Sequence, residues 1–135
     1  MYIFVFQMKS YVPFGANRTV AQEGDARRHL CYIAFDILML NDEITMDLTL
    51  TRRRAILTHP DHVVFKPKTR YLEYTNMMTG IKDTSGIMQA LDNALRDHHE
   101  GIIVKRLDST YQCAKRGNEW IKMKPDYVDD MVSRY

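Results

Sequence analysis

Disulfide chemistry has little to work with in this chain. Only two cysteines, Cys31 and Cys113, occur in 135 residues. They form no CxxC pair and no stapling framework, so a reducing compartment is expected. Long hydrophobic runs are missing as well, since none approaches the roughly 18 residues that a membrane-spanning helix needs. The opening MYIFVF is apolar but short, with no basic leader and no small-residue cleavage site; it reads as a strand and not as a signal peptide. A dominant charge is also lacking. Lys and Arg number 19 against 17 Asp and Glu, a net +2. That balance is too small to imply nucleic acid, so any such claim must rest on local placement. Neither internal repeats nor low-complexity tracts occur. The expectation is an intracellular, soluble chain with no membrane contact.

What is present suits one globular domain. Hydrophobic residues make up 45% and charged residues 27%, an ordinary mixture, and the length suffices to bury a core. Residues 2–6 read as a strand. Residues 10–28 are polar, with Pro13, Gly15 and Gly24 favouring turns. The run LCYIAFDILML, residues 30–40, is apolar with a single charge; its β-branched and aromatic content, and Asn41-Asp42 after it, predict one buried strand. Leu48 to Leu57 predicts an amphipathic helix ended by His59-Pro60, with Arg52, Arg53 and Arg54 read as its solvent-facing side in preference to a contact with DNA. Short strands are expected at 63–65 and 71–74. Thr84 or Ser85 caps a second helix whose Ile87, Met88, Leu91, Ala94 and Leu95 follow the helical period. Ile102 to Lys105 and Trp120 to Lys124 are the last strands, joined by a polar loop with Lys115-Arg116-Gly117. The fold class is α+β, an antiparallel or mixed sheet with two main helices.

The chemistry gathers in residues 100–127, which hold Lys105, Arg106, Lys115, Arg116, Lys122, Lys124 and the single Trp. In WIKMK, strand alternation puts Trp120, Lys122 and Lys124 on one face and Ile121 and Met123 on the other. Ammonium groups two residues apart repel unless an anion lies between them, as a polyphosphate or a nucleic-acid backbone would. The competing reading is a solvated face with snorkelling lysines. In EGIIVK, Ile103 and Lys105 share a face while Ile102 and Val104 point to the core. A regular strand would aim Glu100 away from Lys105, so both reach one site only if the chain bends at Gly101. A carboxylate beside several ammonium groups suits a divalent metal on a phosphate, or else a plain ion pair. Asp36 is the one carboxylate in an apolar run, and leaving it buried and unpaired is costly, so a partner or ligand must stand beside it. Its neighbour Phe35 reads either as core or as an aromatic platform for a base. His98-His99-Glu100 has no third ligand spaced for zinc and reads as a solvated helix end. Cys113, in a polar loop, reads as a passive thiol.

FDILMLN, EGIIVK and KRGNEWIKMKPDY, in that order, resemble the third, fourth and fifth motifs of the nucleotidyltransferase domain of ATP-dependent DNA ligases. SYVPFGANRTVA, upstream of them, is similar to the same family, and the likeness is greatest to its DNA ligase IV branch. It covers residues 10–130, leaving 1–9 as an atypical N-terminal segment and 131–135 as a tail. The resemblance implies part of an adenylation domain of ATP-grasp-like build that binds ATP or AMP with Mg²⁺. By position in the motifs, Phe35 matches an aromatic that stacks on adenine, and Glu100 a carboxylate that binds the metal. Lys105, Lys122 and Lys124 match lysines on the nucleotide phosphates. Arg116 and Trp120 match positions near the nucleotide or DNA, and Arg18 stands loosely near a basic nucleotide contact. Implied partners are DNA with nicks or double-strand ends and an end-joining scaffold protein, in the nucleus.

The same resemblance shows what is absent. These ligases use the lysine of a K-x-D-G motif to attack the α-phosphate of ATP. The AMP then passes to a DNA 5′-phosphate, and the 3′-hydroxyl at the nick displaces it. No K-x-D-G occurs in the 135 residues, and KPDY at Lys124 lacks the glycine; the DGE-type metal motif is missing too. No catalytic nucleophile is therefore assigned. The chain is expected to be the C-terminal half of one catalytic subdomain, unable to self-adenylate alone. Two alternatives remain: a non-catalytic nucleotide- or DNA-binding remnant, and a relative of RNA ligases or mRNA-capping nucleotidyltransferases.

Overall fold

Alternating side chains near the C-terminus build the main sheet. The computed structural model describes residues 3–7, 31–69, 71–97, 99–115 and 117–125. Along the chain run β1 (Ile3–Gln7), β2 (Tyr32–Ala34), β3 (Met39–Leu40), β4 (Glu43–Ile44), α1 (Leu50–Leu57), β5 (Leu72–Tyr74), β6 (Met77–Ile81), α2 (Thr84–Arg96), β7 (Ile102–Arg106) and β8 (Trp120–Met123). An antiparallel sheet has the order β6-β1-β7-β8. β2 and β5 pair in parallel, and β3 and β4 form a small hairpin. The α+β class holds.

One face of the main sheet is dry. Ile102 and Val104 of β7 pack against Ala90, Leu91 and Ala94 of α2, with Ile81, Ile87, Leu95 and Met123 around them. The N-cap of α2 is Asp83, whose carboxylate accepts from the Gly86 amide at 2.8 Å, one residue ahead of the expected Thr84 or Ser85. An aspartate there satisfies an orphan amide and faces the positive end of the helix dipole. On the other face, Leu50 of α1 packs on Ile103 and Leu107. The Leu50 amide donates to the Ser109 carbonyl and the Thr51 amide to the Leu107 carbonyl, so α1 starts pinned to the exit of β7. Leu57, at its other end, joins Ala34 and Ile37 in a second core.

The run 30–40 is not one buried strand. β2 ends at Ala34, and Met39–Leu40 pairs back on Glu43–Ile44 across Asn41 (φ 48°) and Asp42 (φ 69°). Two positive φ angles are what a two-residue hairpin turn requires. Tyr32 is 68% and Met39 60% exposed. The reason for the break lies at Asp36, whose carboxylate accepts from the Ile37 amide at 2.9 Å and turns the chain out of the ladder. Residues 63–65 form no strand; Val64 and Phe65 instead pack around Leu57. β6 was not anticipated. The polar stretch 10–28 lies outside the described residues. No helix among those described is long and apolar enough to cross a membrane.

Candidate functional site

The face of β7 and β8 turned away from α2 carries the predicted lysines. Lys105 lies opposite Trp120, and Ile103 opposite Lys122. Directly opposed residues of an antiparallel pair share a face, so Lys105, Trp120 and Lys122 stand together. The Lys105 ammonium sits 3.5 Å from the Trp120 ring centroid and 5.2 Å from that of Phe35. Phe35, just past the end of β2, comes from the opposing layer and is 47% exposed, which excludes it from the core. Tyr111 backs Trp120 edge-on at 5.2 Å between centroids. Lys105 itself is buried. Desolvation pushes its ammonium down to about 8; Asp36 opposes this, while Arg53 and Arg54 add to it. The two aromatic faces return part of the lost hydration.

At the other end of this face, the backbone bends at Gly101, and the bend brings Glu100 to Lys124 rather than to Lys105. Gly101 has φ +147°, and a Cβ there would lie 2.1 Å from the Met123 carbonyl oxygen, so only glycine fits. Glu100 Oε2 then lies 2.9 Å from Lys124 Nζ. The hydrogen bond from Lys124 holds the Glu100 carboxyl below its ordinary value, with Lys122 assisting. From Gly101 to Lys105 the strand rise amounts to about 13 Å, a row of cations with one carboxylate at its end. Among the described residues no three His, Cys, Asp or Glu gather as a metal site. Glu100 nonetheless supplies a hard oxygen ligand, and one carboxylate suits a Mg²⁺ ion that takes its remaining ligands from phosphate and water. Arg116 and Arg18 lie outside the described residues. His99 is half-buried, and exposed Cys113 lies with its Sγ 3.5 Å from Met46 Sδ.

Two residues that the sequence placed in solvent belong to the interior. Arg53 is wholly buried. Its Nε donates to Asp36 Oδ1 at 2.8 Å and its Nη2 to Oδ2 at 3.1 Å, while Nη1 donates to the carbonyls of Leu48 and Ser109. Asp36 thus has the partner its burial demanded. Arg54 Nη1 donates to the Phe35 carbonyl and to Thr75 Oγ1, both at 3.2 Å, and Nη2 to the Thr75 carbonyl at 3.1 Å. Burial lowers the pKa of Arg54, against the pull of Asp36 and Tyr74. A signal for both was present: Leu50, Arg53, Arg54 and Leu57 follow i, i+3, i+4, i+7 and so share one helix face. Hydropathy hides that face because its middle members are charged. Arg52, off the face, is exposed.

A family model described as "ATP dependent DNA ligase domain" matches residues 1–124. Over 104 residues the chain is 35% identical to DNA ligase 4 of Dictyostelium discoideum, and over 108 residues 33% identical to that of Homo sapiens. These alignments cover 77% and 80% of this chain but 9% and 11% of the relatives, so it spans about a tenth of their length. A mycobacterial DNA ligase D complexed with ATP and MES superposes with a TM-score of 0.59 at 24% identity, over 90% of this chain and 36% of that one.

Proposed function

Because the chain belongs to the ATP-dependent DNA ligase domain family, we propose that its cleft holds the adenylate of ATP. Phe35 carries the base, and Lys105, Lys122 and Lys124 carry the phosphates. The observation behind this reading is the Lys105 ammonium, buried against Trp120 at 3.5 Å and set 5.2 Å from the exposed Phe35 ring. A desolvated ammonium gains most from an anion, and an exposed ring gains most from a flat base. Trp120 seats Lys105. Arg116 is assigned to nucleotide or DNA by its motif position alone. Glu100 would hold Mg²⁺ together with phosphate oxygens, and that ion neutralises phosphate charge when bound.

In a longer ligase such a cleft serves a lysyl-AMP intermediate and the sealing of DNA nicks or double-strand ends. Similarity to DNA ligase 4 supports non-homologous end joining, in the nucleus and with a scaffold partner, as the setting. These 135 residues contain no K-x-D-G. We therefore expect the chain alone to bind nucleotide without forming a covalent adenylate, which is also how a nucleotide-holding remnant would behave. Calorimetry with ATP tests the grip: Lys122→Ala should weaken binding about tenfold, the scale of one charged contact. Equal affinity would return the lysines to a solvated strand. Incubation with ATP labelled at the α-phosphate should leave no labelled band on a denaturing gel; such a band overturns the assignment of no nucleophile.

A further inference from the structure

Phe35 leaves β2 where the parallel β2–β5 pair stops, so the ladder alone does not set its direction. Two adjacent guanidinium groups of α1 hold the backbone there. The Thr75 amide donates to the Ala34 carbonyl at 2.9 Å, closing the end of the pair. Arg54 then spans both strand ends, since it donates to the Phe35 carbonyl and to the Thr75 carbonyl and hydroxyl. One residue on, Arg53 grips the Asp36 carboxylate with two parallel bonds. The peptide unit after Phe35 is thereby tied to α1 directly and the one before it through Thr75, and that helix is tied to the exit of β7 through Leu107 and Ser109.

We infer that Arg53 and Arg54 are positioning residues that hold the Phe35 ring at a fixed height over Lys105, so that ring and ammonium meet the base and phosphate of one nucleotide together. Neither guanidinium needs to touch that nucleotide. Two planar forks suit the task because each makes directional bonds to two acceptors, where an ammonium would act as a point charge. The inference rests on the adenylate reading of the cleft, and it separates from that reading through the base. Inorganic tripolyphosphate uses the cations alone, whereas ATP uses the cations and the ring.

The test compares the affinity of the full chain for ATP and for tripolyphosphate by calorimetry, in wild type, Phe35→Ala, Arg54→Gln and the double variant. Arg54→Gln should weaken ATP about tenfold, the scale of one lost base–aromatic stack, with tripolyphosphate changed less than about twofold. The double variant should bind ATP no more weakly than Phe35→Ala, because both changes remove the same interaction. Arg54→Lys should recover part of the loss. Equal losses for both ligands, or additive losses in the double variant, would overturn the inference. Should Arg54→Gln lose its helical circular dichroism, Thr75→Val removes the hydroxyl that accepts from Arg54 and donates weakly to the Ala34 carbonyl, while the backbone bonds of Arg54 and Thr75 stay; it should weaken ATP about two- to threefold and spare tripolyphosphate. An unchanged ATP-to-tripolyphosphate ratio there sinks the inference equally. If wild type binds tripolyphosphate as tightly as ATP, Phe35 holds no base, and the adenylate reading falls together with this one. If wild type discriminates and Arg54→Gln discriminates as well, only the positioning role falls.

Discussion

Strand β7 turns Ile102 and Val104 toward α2 and Ile103 and Lys105 toward the opposite layer, and β8 does the same with Met123 on one side and Trp120 and Lys122 on the other. The first face is sealed by Ala90, Leu91 and Ala94. The second buries a lysine against a tryptophan and leaves a phenylalanine half in water. One segment thus supplies a core face and a cationic face separated by a single residue in register. A slip of one position would exchange the two faces. The dry face needs only volume and apolarity, while the cationic face buries an ammonium against a ring and desolvates it.

The largest consequence of this contrast concerns the dry face. Ile102→Ala should lower the unfolding free energy by about 3 kcal/mol in denaturant melts, as expected for a fully buried aliphatic side chain. A loss under about 1 kcal/mol would mean that α2 is not seated as described. On the cleft face the sign should reverse. Lys105→Met removes the desolvated ammonium and keeps the length, and should raise stability by about 1–2 kcal/mol while reducing ATP affinity about tenfold or more. A destabilised variant would show that the ammonium already holds the fold together.

Titration gives a smaller effect with a definite direction. The Lys105 pKa is about 8 in the folded chain against an ordinary 10.5. Between those values the unfolded chain binds more protons, so this group's contribution to stability rises as pH climbs from about 8 to about 10.5. ATP affinity should fall over the same window, because the phosphates require the ammonium. The single tryptophan lies against that ammonium, so its fluorescence should titrate near pH 8; a transition only near 10.5 would place Lys105 in solvent. Smallest of all is the effect at the pair of exposed Glu100 and partly buried Lys124. Lys124→Ala should leave the melting temperature nearly unchanged, yet return the Glu100 carboxyl toward its ordinary titration range, an effect readable by NMR.

Local rules made some of this visible in advance. Alternation in IIVK and WIKMK is read from neighbours alone, and Gly101 marked a bend, although it was expected to bring Glu100 toward Lys105 and instead sets it beside Lys124. Asp36 announced a need for a partner without naming one. Arg53 and Arg54 were misplaced because a charged pair on a helix reads as solvated, although Leu50 and Leu57 bracket them on the same face. The hairpin at Asn41-Asp42 was visible only as a stop. Strand β6 escaped because MMTGI is mostly exposed and pairs with β1, a partner more than 70 residues earlier in the chain.

Side-chain order along each segment was enough to specify the α+β class, the two helices, the strands on which the lysines sit and the family whose motifs they compose. Those properties depend on spacing within a few residues, through backbone period and steric preference. Which carboxylate meets which guanidinium, how far Phe35 stands from Lys105 and how much water that ammonium keeps were settled only when distant segments packed. Desolvation and charge pairing are set by everything within a few ångströms, and no stretch of chain carries that information until its neighbours arrive.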